Sequence, residues 1–248
     1  MAKEGDRTNA GSKAADSAEE IGCNPDFEQP AAERSYHACH RCFDRGRYHD
    51  YIVGSDTVPN LINSLKVAIV GGKSDLLAAE LGLTPSDLES CDAALFLVSA
   101  NDGIVSADLE KWRMARELYI PSLVVICDLL SSDIDFEDMT AIASKMLDPV
   151  VTPYLVLHSD AGEPAALINL ETLQVLDYSH GSKEVREADP EHIDLVSEFR
   201  EEYLEDLEDA GEDSFEAGLL FPALAWVEGT SIGIDQIVEY LNQIPTLS

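Results

Sequence analysis

Five short, mainly apolar runs constrain this chain more than any other feature: Leu65–Val70 (LKVAIV), Ala93–Ala100 (AALFLVSA), Ser122–Cys127 (SLVVIC), Thr152–Leu157 (TPYLVL) and Leu220–Trp226 (LFPALAW). Each is bounded by Gly, Asp or Pro and is too short for an ordinary helix. Such runs read as strands buried on both faces, because a strand with one wet face alternates polar and apolar residues. Helical patterns fall between them and predict helices at Lys73–Leu81, Ser106–Tyr119, Asp135–Leu147, Pro190–Asp209 and Gly233–Ile244. Strands alternating with helices predict an α/β fold, a three-layer, mostly parallel sheet covered by helices. A sheet of that kind takes its ligand at the carboxyl ends of the strands, so chemistry is to be sought there.

The helix starts carry their own signals. Ser106 is placed to cap a helix with Asp108 and Glu110 in its first turn, where acids complement the helix dipole. Pro190 opens the fourth helix from a first-turn position that needs no N–H. On that helix Ile193, Val196, Phe199, Tyr203 and Leu207 recur every three or four residues as one apolar stripe. Its other face is acidic. From Glu184 to Glu216 there are fifteen acids against Arg186 and Arg200. Residues 1–32, rich in Ala, Gly, Ser and acids without a period, read as a flexible tail.

Charge narrows the functional classes. The 248 residues hold 16 Lys and Arg against 48 Asp and Glu, a formal charge of −32. The 45% hydrophobic content excludes global disorder. A polyanion is repelled by phosphate backbones and anionic lipid, so direct nucleic-acid or membrane-surface binding is disfavoured, and an expected partner presents a basic protein surface. No run of about 18 apolar residues suggests a membrane span. The first twenty residues lack the apolar core of a signal peptide. The five cysteines are odd in number and thinly spread, which fits a reduced, cytoplasmic protein.

Several stretches taken together resemble one family. They are DAALFLVSANDG (Asp92–Gly103), WRMARELYIPSLVVICDL, EPAALINLETLQVLDYS, READPEHIDLVSEFREEYLE and FPALAWVEGTSIGIDQIVEYL. Their order and spacing resemble the GTPase domain of translation elongation factor G, especially the elongation factor G-like paralogues of actinobacteria. The resemblance covers roughly residues 33–245 and is clearest from 91 to 205. It implies a P-loop NTPase, translational GTPase type of fold over residues 33–248, GTP or GDP with Mg²⁺ as the ancestral ligand, and a translational context. It also implies that residues 153–218 correspond to the family's insertion, which contacts the ribosomal stalk protein, so a ribosome-associated partner is expected.

The family's nucleotide motifs are altered position by position. A phosphate loop has the pattern G-x-x-x-x-G-K-[ST], whose glycines let backbone N–H groups face the phosphates. The nearest string is VAIVGGKS, with Val67 in place of the first glycine, and an ordinary tight turn describes it better. In the second motif, E-R-G-I-T, the Mg²⁺-supporting Thr corresponds to His37. The third motif, D-T-P-G, falls on Gly71, Gly72, Lys73 and Ser74, with Gly71 in place of the metal-supporting Asp; a second placement uses Asp56 and Thr57. The fourth, [NT]-K-x-D, falls on Cys127, Asp128, Leu129 and Leu130, and Leu130 has no acceptor for a guanine ring. The fifth, Ser-Ala, falls near Val227 and Glu228. Losses at independent positions imply a scaffold kept without its nucleotide chemistry: a pseudo-GTPase with no catalytic residue and no cofactor, working through protein contacts. The alternatives are a translation factor or fragment that still binds GTP, and a remnant without function.

Other constellations are weaker. His37, Cys39, His40 and Cys42 include one C-x-x-C pair, a zinc candidate, but a second knuckle is absent. His158 and His180 show no partner in the sequence. Trp112 is expected to pack near Met114 and Leu118. Trp226, at the end of the last strand, is expected to fill the space vacated by a nucleotide base.

Overall fold

The computed structural model describes residues 62–245. The predicted tail, His37, the zinc candidates Cys39, His40 and Cys42, and the pair Asp56 and Thr57 lie outside them. Three apolar runs form β1 (Val67–Val70), β2 (Ala93–Ser99) and β3 (Ser122–Cys127). The last run yields only a three-residue strand, β8 (Ala223–Ala225), because Pro222 supplies no ladder N–H. These four pair in parallel in the order β1-β2-β3-β8. All of β3 and the first six residues of β2 are buried, as their unbroken apolar sequence requires.

The fourth run departs from expectation. The sequence pattern places Thr152–Leu157 in the parallel sheet. Instead β4 (Tyr154–His158) begins a second, antiparallel sheet with β5 (Pro164–Asn169), β6 (Gln174–Asp177) and β7 (Glu184–Glu187), in chain order. Short turns at 159–163 and 178–183 reverse the chain, and only antiparallel strands can be joined so tightly. The fold is therefore a mixed α/β structure with one parallel and one antiparallel sheet. The stretch 153–218 holds the whole antiparallel sheet and the long acidic helix. Val151 links the sheets: its N–H bonds the Phe221 carbonyl at 3.0 Å and its carbonyl accepts from Ala223 N–H at 2.8 Å.

The helices fall close to the predicted spans: α1 (Ser74–Leu81), α2 (Ser106–Glu117), α3 (Phe136–Met146), α4 (Pro190–Ala210) and α5 (Ile234–Leu241). Asp135 and Asp189 cap α3 and α4 by accepting from Asp138 N–H (2.9 Å) and His192 N–H (3.0 Å). Ser106 does not cap α2; it is the first helical residue, and Val105 holds the cap position without a side-chain bond. Trp112 packs edge-on to Phe96 and Phe221, with centroids 4.9 and 5.1 Å away. The expected neighbours Met114 and Leu118 are instead exposed. On α4 only Val196 and Tyr203 of the apolar stripe are buried; Ile193 and Phe199 are exposed, as is Leu195. Among the described residues no helix is long and apolar enough to cross a membrane.

Candidate functional site

The carboxyl ends of the parallel strands gather side chains that are far apart in the chain. A tight turn follows β1. Gly71 sits there at φ +116°, and a Cβ at that position would lie 2.6 Å from the Leu97 carbonyl oxygen, so only glycine fits. The turn delivers Lys73 to the start of α1. Its ammonium donates to Asp128 Oδ1 at the end of β3 and to Glu228 Oε1 beyond β8. Asp128 is held at φ +66°, a conformation Asp tolerates better than most residues. Its backbone N–H reaches Glu228 Oε1 at 3.3 Å. Ser99, the last residue of β2, donates its hydroxyl to Asp128 Oδ2 at 2.6 Å and accepts the N–H groups of Asn101 and Asp102. Cys127 lies beneath, its thiol 3.8 Å from Asp128 Oδ2.

The protonation states follow from this geometry. Burial works against the Lys73 ammonium, yet the hydrogen bonds and charges of Asp128 and Glu228 outweigh it and hold its pKa above the ordinary lysine value. Burial likewise works against the Asp128 carboxylate, and bonds from Lys73 and Ser99 bring it below its ordinary value. Burial, and then the charges of Asp128 and Glu228, push the Cys127 thiol up to about 12. The thiol is thus protonated at neutral pH and is no nucleophile. One ammonium faces two carboxylates, so the cluster carries one net negative charge. Lys73 is spent on internal partners, and the two carboxylates beside it repel an incoming phosphate group.

Of the sequence candidates, the structure brings together Lys73, Cys127, Asp128 and Glu228. Gly71 and Gly72 shape the turn, and Ser74 starts α1 with its N–H on the Gly72 carbonyl at 2.7 Å. Val227 is fully buried, and Leu130 is 53% exposed. Ser99 is a site residue that no motif marks; its one signal is that it is the polar residue in the apolar run of β2. Trp226 is fully buried; its indole Nε1–H donates to Glu80 Oε2 at 2.9 Å, and Glu80 Oε1 accepts Gly229 N–H at 3.1 Å. Two open cavities among the described residues lie elsewhere. One, of about 200 Å³, adjoins Asp133, Phe136 and His158. The other, a groove of about 800 Å³, runs past Tyr178, Thr230 and Asp235. His158 and His180 are exposed.

The cluster makes a clear stability prediction. Lys73→Met leaves Asp128 and Glu228, whose side chains are 13% and 16% exposed, facing each other without a cation. The expected loss at pH 7 is about 1–3 kcal/mol, less than for a fully buried pair because Lys73 is partly solvated. The sign with pH is set by the carboxylates. Lys73 helps to hold the Asp128 carboxyl below its ordinary value; without it that carboxyl takes up a proton more readily in the folded chain, so part of the stability lost at pH 7 is regained as pH falls. Urea denaturation at pH 7 and pH 5 should show the penalty shrinking at the lower pH.

Fold and site together define a mixed α/β protein with an ion cluster at the carboxyl ends of its parallel strands. No protein-family model matches the chain, and no curated protein matches it. A crystal structure of a protein from Thermus thermophilus is similar, at 26% identity and a TM-score of 0.56 over 64% of this chain. The match covers 27% of that chain, so this sequence spans about a quarter of its structural neighbour's length.

Proposed function

We propose that this chain is a degenerate GTPase-type domain of elongation factor G-like descent, a pseudo-GTPase that acts through protein contacts in a translational setting. The observation that carries the reading is the Lys73–Asp128–Glu228 cluster at the carboxyl ends of the parallel strands. In a P-loop NTPase type of fold that edge receives the nucleotide phosphates and their Mg²⁺. Here its lysine is neutralised from within, and the added carboxylates repel phosphate. Leu130, at the position of the base-reading Asp, is apolar and exposed. Interaction then falls to the acidic surface. Helix α4 presents acids beside the exposed Ile193, Leu195 and Phe199, a combination suited to a basic partner with apolar anchors, such as a ribosome-associated protein.

Calorimetric titration with GDP and Mg²⁺ tests this reading. The expected result is no binding at sub-millimolar concentrations, and no difference between GDP and ADP. Micromolar GDP binding with guanine preference would favour the alternative, a translation factor or fragment that still uses GTP.

A further inference from the structure

The same cluster contains a metal-type donor set that is already filled by a side chain. Cys127 Sγ and one oxygen each from Asp128 and Glu228 all lie within 4.8 Å of one another. Two donors on one divalent ion, each at about 2.0–2.6 Å from it, stand up to about 5 Å apart, so the three atoms are close enough together to share one ion. The Ser99 hydroxyl holds the Asp128 carboxylate through Oδ2, in the manner of the outer partners that orient metal ligands. The Lys73 ammonium touches both carboxylates from which a metal would take its oxygens. We infer that Lys73 is a tethered counter-cation seated in a latent metal site of Cys127, Asp128 and Glu228, and that it keeps divalent ions out of the sheet edge.

The chemistry specifies the ion. One sulfur and two carboxylate oxygens suit a borderline-soft metal such as Zn²⁺ or Cd²⁺ better than Mg²⁺. Binding replaces the Cys127 S–H bond by an S–metal bond, and the proton leaves to solvent. With Lys73 in place this exchange would set a divalent ion beside an ammonium. With Lys73 shortened to an uncharged side chain, the two carboxylates lose their cation and the ion supplies it. The inference rests on the donor geometry alone and holds whether or not the chain descends from a GTPase.

The test is a Cd²⁺ titration of the full chain as wild type, Lys73→Met, and Lys73→Met with Cys127→Ser, reading the ultraviolet thiolate-to-cadmium absorption together with proton release. The remaining cysteines give a background common to all three proteins. Lys73→Met should take up one equivalent more than wild type and release the Cys127 proton. Adding Cys127→Ser removes a direct ligand and should weaken that extra binding by more than the roughly 10–100-fold that loss of an outer partner costs. Equal uptake by wild type and Lys73→Met, or extra uptake indifferent to Cys127→Ser, overturns the inference. If Lys73→Met does not fold by itself, Cd²⁺ supplied during refolding should restore the native far-ultraviolet circular dichroism only when Cys127 is present. Failure to restore it, or restoration without Cys127, overturns the inference equally. The GDP titration has no bearing on any of these outcomes.

Discussion

Trp226→Ala should lower the unfolding free energy by about 3–5 kcal/mol, the range for removing a large aromatic side chain from a packed interior. Trp226 is fully buried, directly after β8, where its N–H continues the sheet by bonding the Ile126 carbonyl at 2.8 Å. The side chain reaches α1 and donates to Glu80, which in turn holds the Gly229 N–H. Alanine therefore removes packing and also one of the two donors that fix Glu80 against the loop leading to Glu228. Trp226→Phe separates the effects. It keeps most of the apolar area and loses the indole N–H, so it should cost nearer to about 1–2 kcal/mol. For a chain of this size a loss of about 4 kcal/mol lowers Tm by roughly 8–16 °C, which calorimetry resolves easily.

Gly233→Ala should be comparably damaging for a different reason. Gly233 precedes α5 at φ +92°, and a Cβ there would stand 1.9 Å from the Ala225 carbonyl oxygen and 2.9 Å from its carbon. Those atoms are sheet backbone and cannot swing aside as a side-chain tip would. The loop must lift off β8, or α5 must shift and disturb the fully buried Ile237 and Leu241. Strain of the left-handed backbone adds about 1–2 kcal/mol to that displacement, and the whole is expected to exceed about 3 kcal/mol. Gly229→Ala is the control. It has a similar positive φ of +72°, but no atom within 4 Å of the added carbon. It should show only the backbone cost, about 1 kcal/mol. Urea denaturation of the two variants side by side checks the contrast; equal losses would mean that the contact with Ala225 is not the cause.

Legibility of the sequence followed burial. Strands β1, β2 and β3 were readable because both faces are covered, so their residues are apolar without interruption. Strand β7 has the sequence EVRE with every residue exposed, and no apolar signal marks it. Its strand character comes from pairing with β6, a tertiary effect. Strand β4 was readable as a strand but not in its direction, since continuous apolar sequence reports coverage and not the partner. Helix α4 shows the converse limit. A 3.6-residue stripe announces an amphipathic helix, but it does not say how much of the stripe is covered, and Phe199 remains 41% exposed.

At the site, Lys73, Cys127, Asp128 and Glu228 were singled out by position in altered motifs, which says what each residue is not. Their meeting was invisible, because Lys73 is separated from Asp128 by 55 residues and from Glu228 by 155. The charges themselves gave no help in a chain with 48 acids. Ser99 offered a usable clue as the polar end of an otherwise apolar strand. Its partner could come only from the register that aligns Ser99 with Cys127 across the β2–β3 pair.

Those separations also place the cluster in time. A contact between residues 155 positions apart closes most of the domain into one loop, and loop closure is opposed by chain entropy until nearer contacts have formed. Glu228 follows β8, the last strand in the chain, so the second arm of the Lys73 bridge is expected to form only once the four-stranded sheet is in place. An interaction made that late is expected to be absent from the folding transition state. Its effect falls on the rate at which the native chain opens and not on the rate at which it forms. The ion cluster is in this sense a kinetic latch: it governs how long the finished sheet stays shut.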